Sequence, residues 1–85
     1  MNKLTDISLP KLGFTEVNVG EEESGGEPFK YYTLDFGVGL ELISCADTEC
    51  VDGAYTVEFF DYPIAKFNDA QVLENLIHII KSAIK

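Results

Sequence analysis

The sequence predicts an α+β domain: an antiparallel meander sheet of about four strands with one C-terminal amphipathic helix packed on one face. Three observations carry this expectation. Apolar residues recur at helical spacing from Asp69 to Lys85. Upstream segments alternate apolar and polar side chains between turn signals, and the short connection Gly37-Val38-Gly39 joins two of them. With 85 residues the chain has room for one domain, spanning 1–85. A domain of that size buries only roughly 60 to 65% of its unfolded surface, so its large apolar side chains must share a single core.

Taken in order, the elements begin with an apolar N-terminal segment. Leu4, Ile7, Leu9 and Leu12, punctuated by Pro10 and Gly13, fit either a short helical turn or an edge segment covering the core. Four strands follow at about 14–19, 29–36, 40–45 and 54–60, where β-branched and aromatic residues alternate. The hairpin between the second and third sets the register: Phe36 opposes Leu40, Asp35 opposes Glu41, and Leu34 opposes Leu42. Tyr32, Leu34, Phe36, Leu40 and Leu42 then share one face, joined by Tyr55, Val57 and Phe59 and, from the first strand, Val17 and Val19. The other face carries Tyr31, Thr33, Asp35, Glu41, Ile43, Thr56, Glu58 and Phe60.

Asp61-Tyr62-Pro63 is expected to end the fourth strand, because proline cannot donate to a ladder. Asn68 or Asp69 then caps a helix running to about Lys85. Leu73, Leu76, Ile77, Ile80 and Ile84 form its apolar stripe, flanked by Val72, Ile79 and Ala83; the flank is either buried on the sheet or part of a dimer contact. His78 falls among the polar residues of the opposite arc, which makes it a solvated surface histidine.

Charge narrows the function. There are 15 acidic and 6 basic residues, for a formal charge of −9 and a pI near 4.2, yet 46% of the chain is hydrophobic, too much for a disordered acidic tail. Such a field repels phosphate backbones and anionic lipid surfaces, so the expected partner is a basic protein, with no direct nucleic acid and no membrane. Met1 to Asp6 lack the apolar run of a signal peptide, and no stretch reaches the ~18 apolar residues of a membrane span. A cytoplasmic protein is expected, with Cys45 and Cys50 as free thiols, although their spacing around a loop also permits a bridge. Two cysteines and one histidine fall short of the four ligands of a closed zinc site, and no metal or cofactor is expected.

The carboxylates fall in two groups. In a meander the first and third loops share one end of the sheet, which would gather Glu21, Glu22, Glu23 and Glu27 with Asp47, Glu49 and Asp52 into an acidic pole. A helix returning antiparallel to the fourth strand would bring Lys81 and Lys85 toward that pole. The stretch 20–27 reads as a mobile loop, and Asp47-x-Glu49-x-x-Asp52-Gly53 lacks the spacing of an EF-hand. The second group, Asp35, Glu41 and Glu58, lies on the sheet face with Tyr31 and Phe60, where aromatic and acidic side chains together suit Lys or Arg. Asp35 and Glu41 resemble a glycosidase dyad only in spacing, since a flat sheet cannot wall in a sugar.

Neither a phosphate-binding glycine loop nor a nucleophile elbow is present, and with a single His and no Arg the usual acid, base and anion-clamping residues are scarce. The expected function is a non-enzymatic acidic protein-binding module. Its carboxylate surface, Glu21, Glu22, Glu23, Glu27, Asp35, Glu41, Asp47, Glu49, Asp52 and Glu58 with Tyr31 and Phe60, would cover a basic site on a partner by mimicking nucleic acid. In size and charge the chain is similar to immunity proteins and phage-encoded inhibitors of host enzymes, a likeness of class resting on length and acidity. The alternative is a structural or regulatory homodimer.

Overall fold

A computed structural model describes residues 3–84, apart from the side chains of residues 23, 24, 63 and 64. Among the described residues the elements are α1 (Ser8–Lys11), β1 (Thr15–Val19), α2 (Glu21–Ser24), β2 (Phe29–Asp35), β3 (Glu41–Ser44), the 3₁₀ turn η1 (Asp47–Glu49), β4 (Val57–Phe59), β5 (Tyr62–Phe67) and α3 (Ala70–Ala83). The strands form one antiparallel sheet in the order β1-β2-β3-β4-β5, a meander with the helix at its end. The α+β class is therefore as expected, with five strands in place of about four.

The extra strand arises where the sequence reading placed a stop. Glu58 opposes Lys66 and Val57 opposes Phe67, with an irregularity between Glu58 and Phe59. Because β5 is an edge strand, Pro63 can occupy it on the side that needs no ladder donor. The fourth strand is correspondingly shorter than 54–60. Residues 51 to 54 instead make a tight turn in which the Ala54 N–H donates to the Val51 carbonyl at 3.0 Å. Asp52 (φ 54°) and Gly53 (φ 75°) both take the left-handed conformation that a type I′ turn requires.

An added strand also reverses the helix. β5 finishes at the same end of the sheet as the β1–β2 and β3–β4 connections, so α3 starts there and runs away from it. Two contacts fix this direction: the backbones of Lys3 and Asp69 pair in an isolated antiparallel β-bridge at the start, while Lys81 shares a hollow with Lys11 and Leu12, which precede β1. Lys81 thus lies at the opposite end from the acidic loops, which corrects its expected position; Lys85 lies outside the described residues.

The helix starts where Asp69 caps it, its carboxylate accepting the N–H groups of Gln71 at 2.8 Å and Val72 at 3.4 Å. Leu73 and Ile77 are buried; Leu76 and Ile80 are half-buried, and Val72, Ile79 and Ala83 are exposed. The helix stripe packs into a core of Leu4, Leu9, Phe14, Tyr32, Leu42, Tyr55 and Val57. Leu4 and Leu9 are fully buried, and the Leu4 carbonyl accepts the Tyr55 N–H at 2.8 Å. The N-terminal segment is therefore both a helical turn and a core wall. It lies on the helix side of the sheet and leaves the other side open.

Register decides which side chains meet that open side. The β2–β3 pairing is the expected one, Leu34 opposite Leu42 and Asp35 opposite Glu41. In β1, however, Val17 opposes Tyr31 and Val19 opposes Phe29, whereas Glu16 opposes Tyr32. Val17 and Val19 therefore belong to the open face, not to the core as the alternation suggested. The core face of this edge strand carries Glu16 and Asn18. Glu16 accepts from the Tyr32 hydroxyl at 3.0 Å and from Asn18 at 3.0 Å, and Lys30 lies 3.5 Å away. Those hydrogen bonds, Asn18 first and then Tyr32, hold the Glu16 pKa below its ordinary value.

Candidate partner-binding face

The open face is built from alternate residues of all five strands. Across its rows lie Thr15, Val17 and Val19 of β1; Phe29, Tyr31, Thr33 and Asp35 of β2; Glu41 and Ile43 of β3; Glu58 of β4; and Lys66 of β5. Tyr31, Glu41, Ile43 and Glu58 are half-buried, their stems packed against neighbours in the sheet and their tips reaching solvent. Phe29 and Tyr31 lean together with ring centroids 6.3 Å apart. Phe60, just past β4, extends this face: its N–H donates to the Glu41 carbonyl at 2.9 Å, opposite Asp35, and the residue is 57% exposed.

Beside this face stands η1, whose Glu49 forms part of the rim of a hollow. Phe29, Tyr31, Ile43, Glu49, Glu58 and Lys66 surround a hollow of about 500 Å³ that is open to solvent. The aromatic and aliphatic side chains of Phe29, Tyr31 and Ile43 line it together with the carboxylates of Glu49 and Glu58 and the ammonium-bearing Lys66. Phe29 and Lys66 were not among the expected site residues. Lys66 was missed because β5 was not anticipated, while Phe29 had a signal, sharing strand parity with Tyr31.

Several expected partner-binding carboxylates have local tasks. Asp35 accepts the Gly37 N–H at 2.8 Å and so shapes the β2–β3 turn. Asp47 accepts the Lys30 N–H at 3.1 Å, tying η1 to the start of β2. Glu49 accepts the Ala46 N–H at 3.2 Å and closes its own turn. These carboxylates keep free lone pairs toward solvent, since each accepts one bond of the several that an ionised carboxyl can take. Glu21 and Glu22 lie exposed on α2, a single helical turn ended by Gly25 at φ 74° where a loop was expected, and Glu27 follows, also exposed. The side chain of Glu23 lies outside the described ones. Asp52 is exposed in its turn.

The two acidic loops do share one end of the sheet, as the Asp47 to Lys30 bond and the shallow hollow between Gly20, Pro28 and Asp47 demonstrate. Lys81, at the far end, does not stand beside this pole as the sequence suggested. Among the described residues, no three His, Cys, Asp or Glu side chains stand close enough to hold a metal ion, and no helix is long and apolar enough to cross a membrane. His78 is exposed on α3, beside Lys11, Glu74 and Lys81 and away from the sheet hollow. No protein-family model, curated protein or solved structure matches this chain.

Proposed function

We propose that the chain is a non-enzymatic protein-binding domain whose open sheet face and adjoining acidic pole cover a basic site on another protein. One observation carries this reading. Both N-terminal and C-terminal helical segments pack on the same side of the sheet, so aromatic and aliphatic side chains on the other side remain at the surface among carboxylates. Such a face suits a partner rich in Lys and Arg: the rings supply buried area and cation–π contacts, and the charge supplies steering. A partner surface that ordinarily holds nucleic acid has the matching sign, which makes an inhibitor or immunity-type role the favoured form of this function. The domain would act inside the cytoplasm, as a monomer facing its partner.

The test is capture with a matched control. Immobilised protein and its Tyr31→Ala, Glu58→Lys variant are exposed to lysate of the native host and eluted with a salt gradient, and the eluates are compared. The reading requires a basic protein that elutes with salt from the first and is lost from the second. Equal capture by both, or capture indifferent to salt, removes it. Light scattering on the purified chain separates off the homodimer, which would bury the same face against itself.

A further inference from the structure

We propose that Cys45 and Cys50 form a thiol pair that converts reversibly to an intramolecular disulfide, a modification site at the lip of the sheet hollow. The chain offers these two cysteines alone, and both are free and half-buried. They hang from the two ends of one tight turn. The Cys45 N–H donates to the Thr56 carbonyl at 2.9 Å, and the Cys45 sulfur accepts the Thr56 N–H at 3.5 Å, which fixes the first thiol at the end of β3. η1 then folds the chain back, with the Glu49 N–H bonded to the Ala46 carbonyl at 2.9 Å. As a result the Cys50 thiol donates to that same Ala46 carbonyl at 3.7 Å, and it lies next to the Cys45 thiol.

The two residues differ in access. Both pack against the core, but Cys45 also lines the solvent-open hollow, whereas Cys50 lies off it, beside the Tyr55 hydroxyl. Burial, followed by the neighbouring Cys45, pushes the Cys50 thiol up to about 11. Cys45 is therefore the group that meets an oxidant first, and Cys50 the group that resolves the product.

With a small-molecule disulfide such as oxidised glutathione the step balances. The Cys45 sulfur attacks one glutathione sulfur, forming a mixed disulfide and releasing one reduced glutathione. The Cys50 sulfur, losing its proton to solvent, then attacks the Cys45 sulfur and releases the second. Two protein thiols are oxidised and one glutathione disulfide is reduced to two thiols. The new bond closes the turn that carries Asp47 and Glu49, so oxidation locks the rim of the hollow. This inference concerns the thiols alone and stands whether or not the sheet face binds a protein.

The experiment incubates the purified folded chain with oxidised glutathione and follows intact mass. The expected product has lost two hydrogen atoms, carries no glutathione, forms at a rate independent of protein concentration and reverts with dithiothreitol. Cys50→Ser should stop at a glutathione adduct, and Cys45→Ser should react roughly tenfold or more slowly, since Cys50 lies off the hollow and its burial, which the substitution leaves in place, still disfavours the thiolate. A stable adduct on the unaltered chain, a disulfide-linked dimer, or no reaction while the chain stays folded would each overturn the proposal.

Discussion

The Ser44 hydroxyl accepts the backbone N–H of Tyr32 at 2.8 Å inside the core, and donates in turn to the Cys45 carbonyl at 2.9 Å. It sits just past the last β2–β3 pair, Thr33 opposite Ile43, where the regular pairing ends. Ser44 is the single buried polar residue among the described ones, 6% exposed. Its role is to satisfy a donor that neighbouring apolar side chains keep from water. Ser44→Ala should cost about 1 to 3 kcal/mol, the penalty of leaving a buried N–H unpaired. Urea unfolding measures it, and a loss within error would show that water reaches Tyr32.

The helix should divide sharply by position. Leu73→Ala and Ile77→Ala remove buried methyl groups and should each cost about 2 to 5 kcal/mol. Val72→Ala and Ile79→Ala, on the exposed flank, should stay within about 0.5 kcal/mol. Thermal or urea melts of the four variants decide it, and equal losses at all four would mean that the flank is covered in solution.

Helix, class and hairpin were legible because each rests on a local signal: Asp69 before an apolar stripe, alternation in 29–36, and glycines on either side of Val38. What failed was parity and count. Val17 and Val19 look like a core row, but pairing with β2 places them opposite Tyr31 and Phe29, and a strand's own alternation cannot say which set faces inward. β5 was hidden by Pro63, which marks an edge strand as readily as a strand end. Missing one strand then inverted the helix and with it the position of Lys81. Of the candidate site, the aromatic and acidic face around Tyr31, Glu58 and Phe60 could be read from the hairpin register. The hollow on it could not, since Glu49 of η1 and Lys66 of β5 help to line it.

The Asp52-Gly53 turn offers a direct backbone test. At φ 54° Asp52 holds a conformation that Asn and Gly adopt more easily, and at φ 75° Gly53 holds one that side chains rarely take. Asp52→Asn should be neutral to slightly stabilising, and Gly53→Ala should cost about 1 kcal/mol. Melting temperatures of the pair provide the comparison, and a harmless Gly53→Ala would show that the turn relaxes to another type.

Alkaline pH should weaken the fold through the buried Tyr55 and the half-buried Cys50. Burial is the largest cause for both, raising Tyr55 above its ordinary 10.0 and Cys50 from 9.0 to about 11. In the unfolded chain each releases its proton near the ordinary value, while the folded chain keeps it. The folded state therefore binds more protons above about pH 9, and stability falls as pH rises from there. Urea midpoints across neutral to alkaline pH should be level first and then decline. Tyr55→Phe, which has no proton to lose, should make that decline shallower. A midpoint unchanged up to pH 11 would contradict the burial of these groups.

Binding to a basic partner should separate into steering and anchoring, because the two sets of side chains lie in different places. Glu21 and Glu22 stand exposed on α2 at the acidic pole, whereas Tyr31 and Phe60 belong to the sheet face. Long-range attraction acts before contact and is screened beyond a Debye length of ~8 Å at physiological salt, so it governs the association rate. Reversing Glu21 and Glu22 to Lys should slow association on the order of tenfold at low salt and leave dissociation nearly unchanged. Truncating Tyr31 or Phe60 to Ala should instead speed dissociation roughly tenfold, the effect of removing an aromatic anchor. Surface-bound kinetics at two salt concentrations distinguish the cases. If charge reversal at the pole alters dissociation as much as the Tyr31→Ala change does, the acidic loops themselves contact the partner and the sheet face is not the principal anchor.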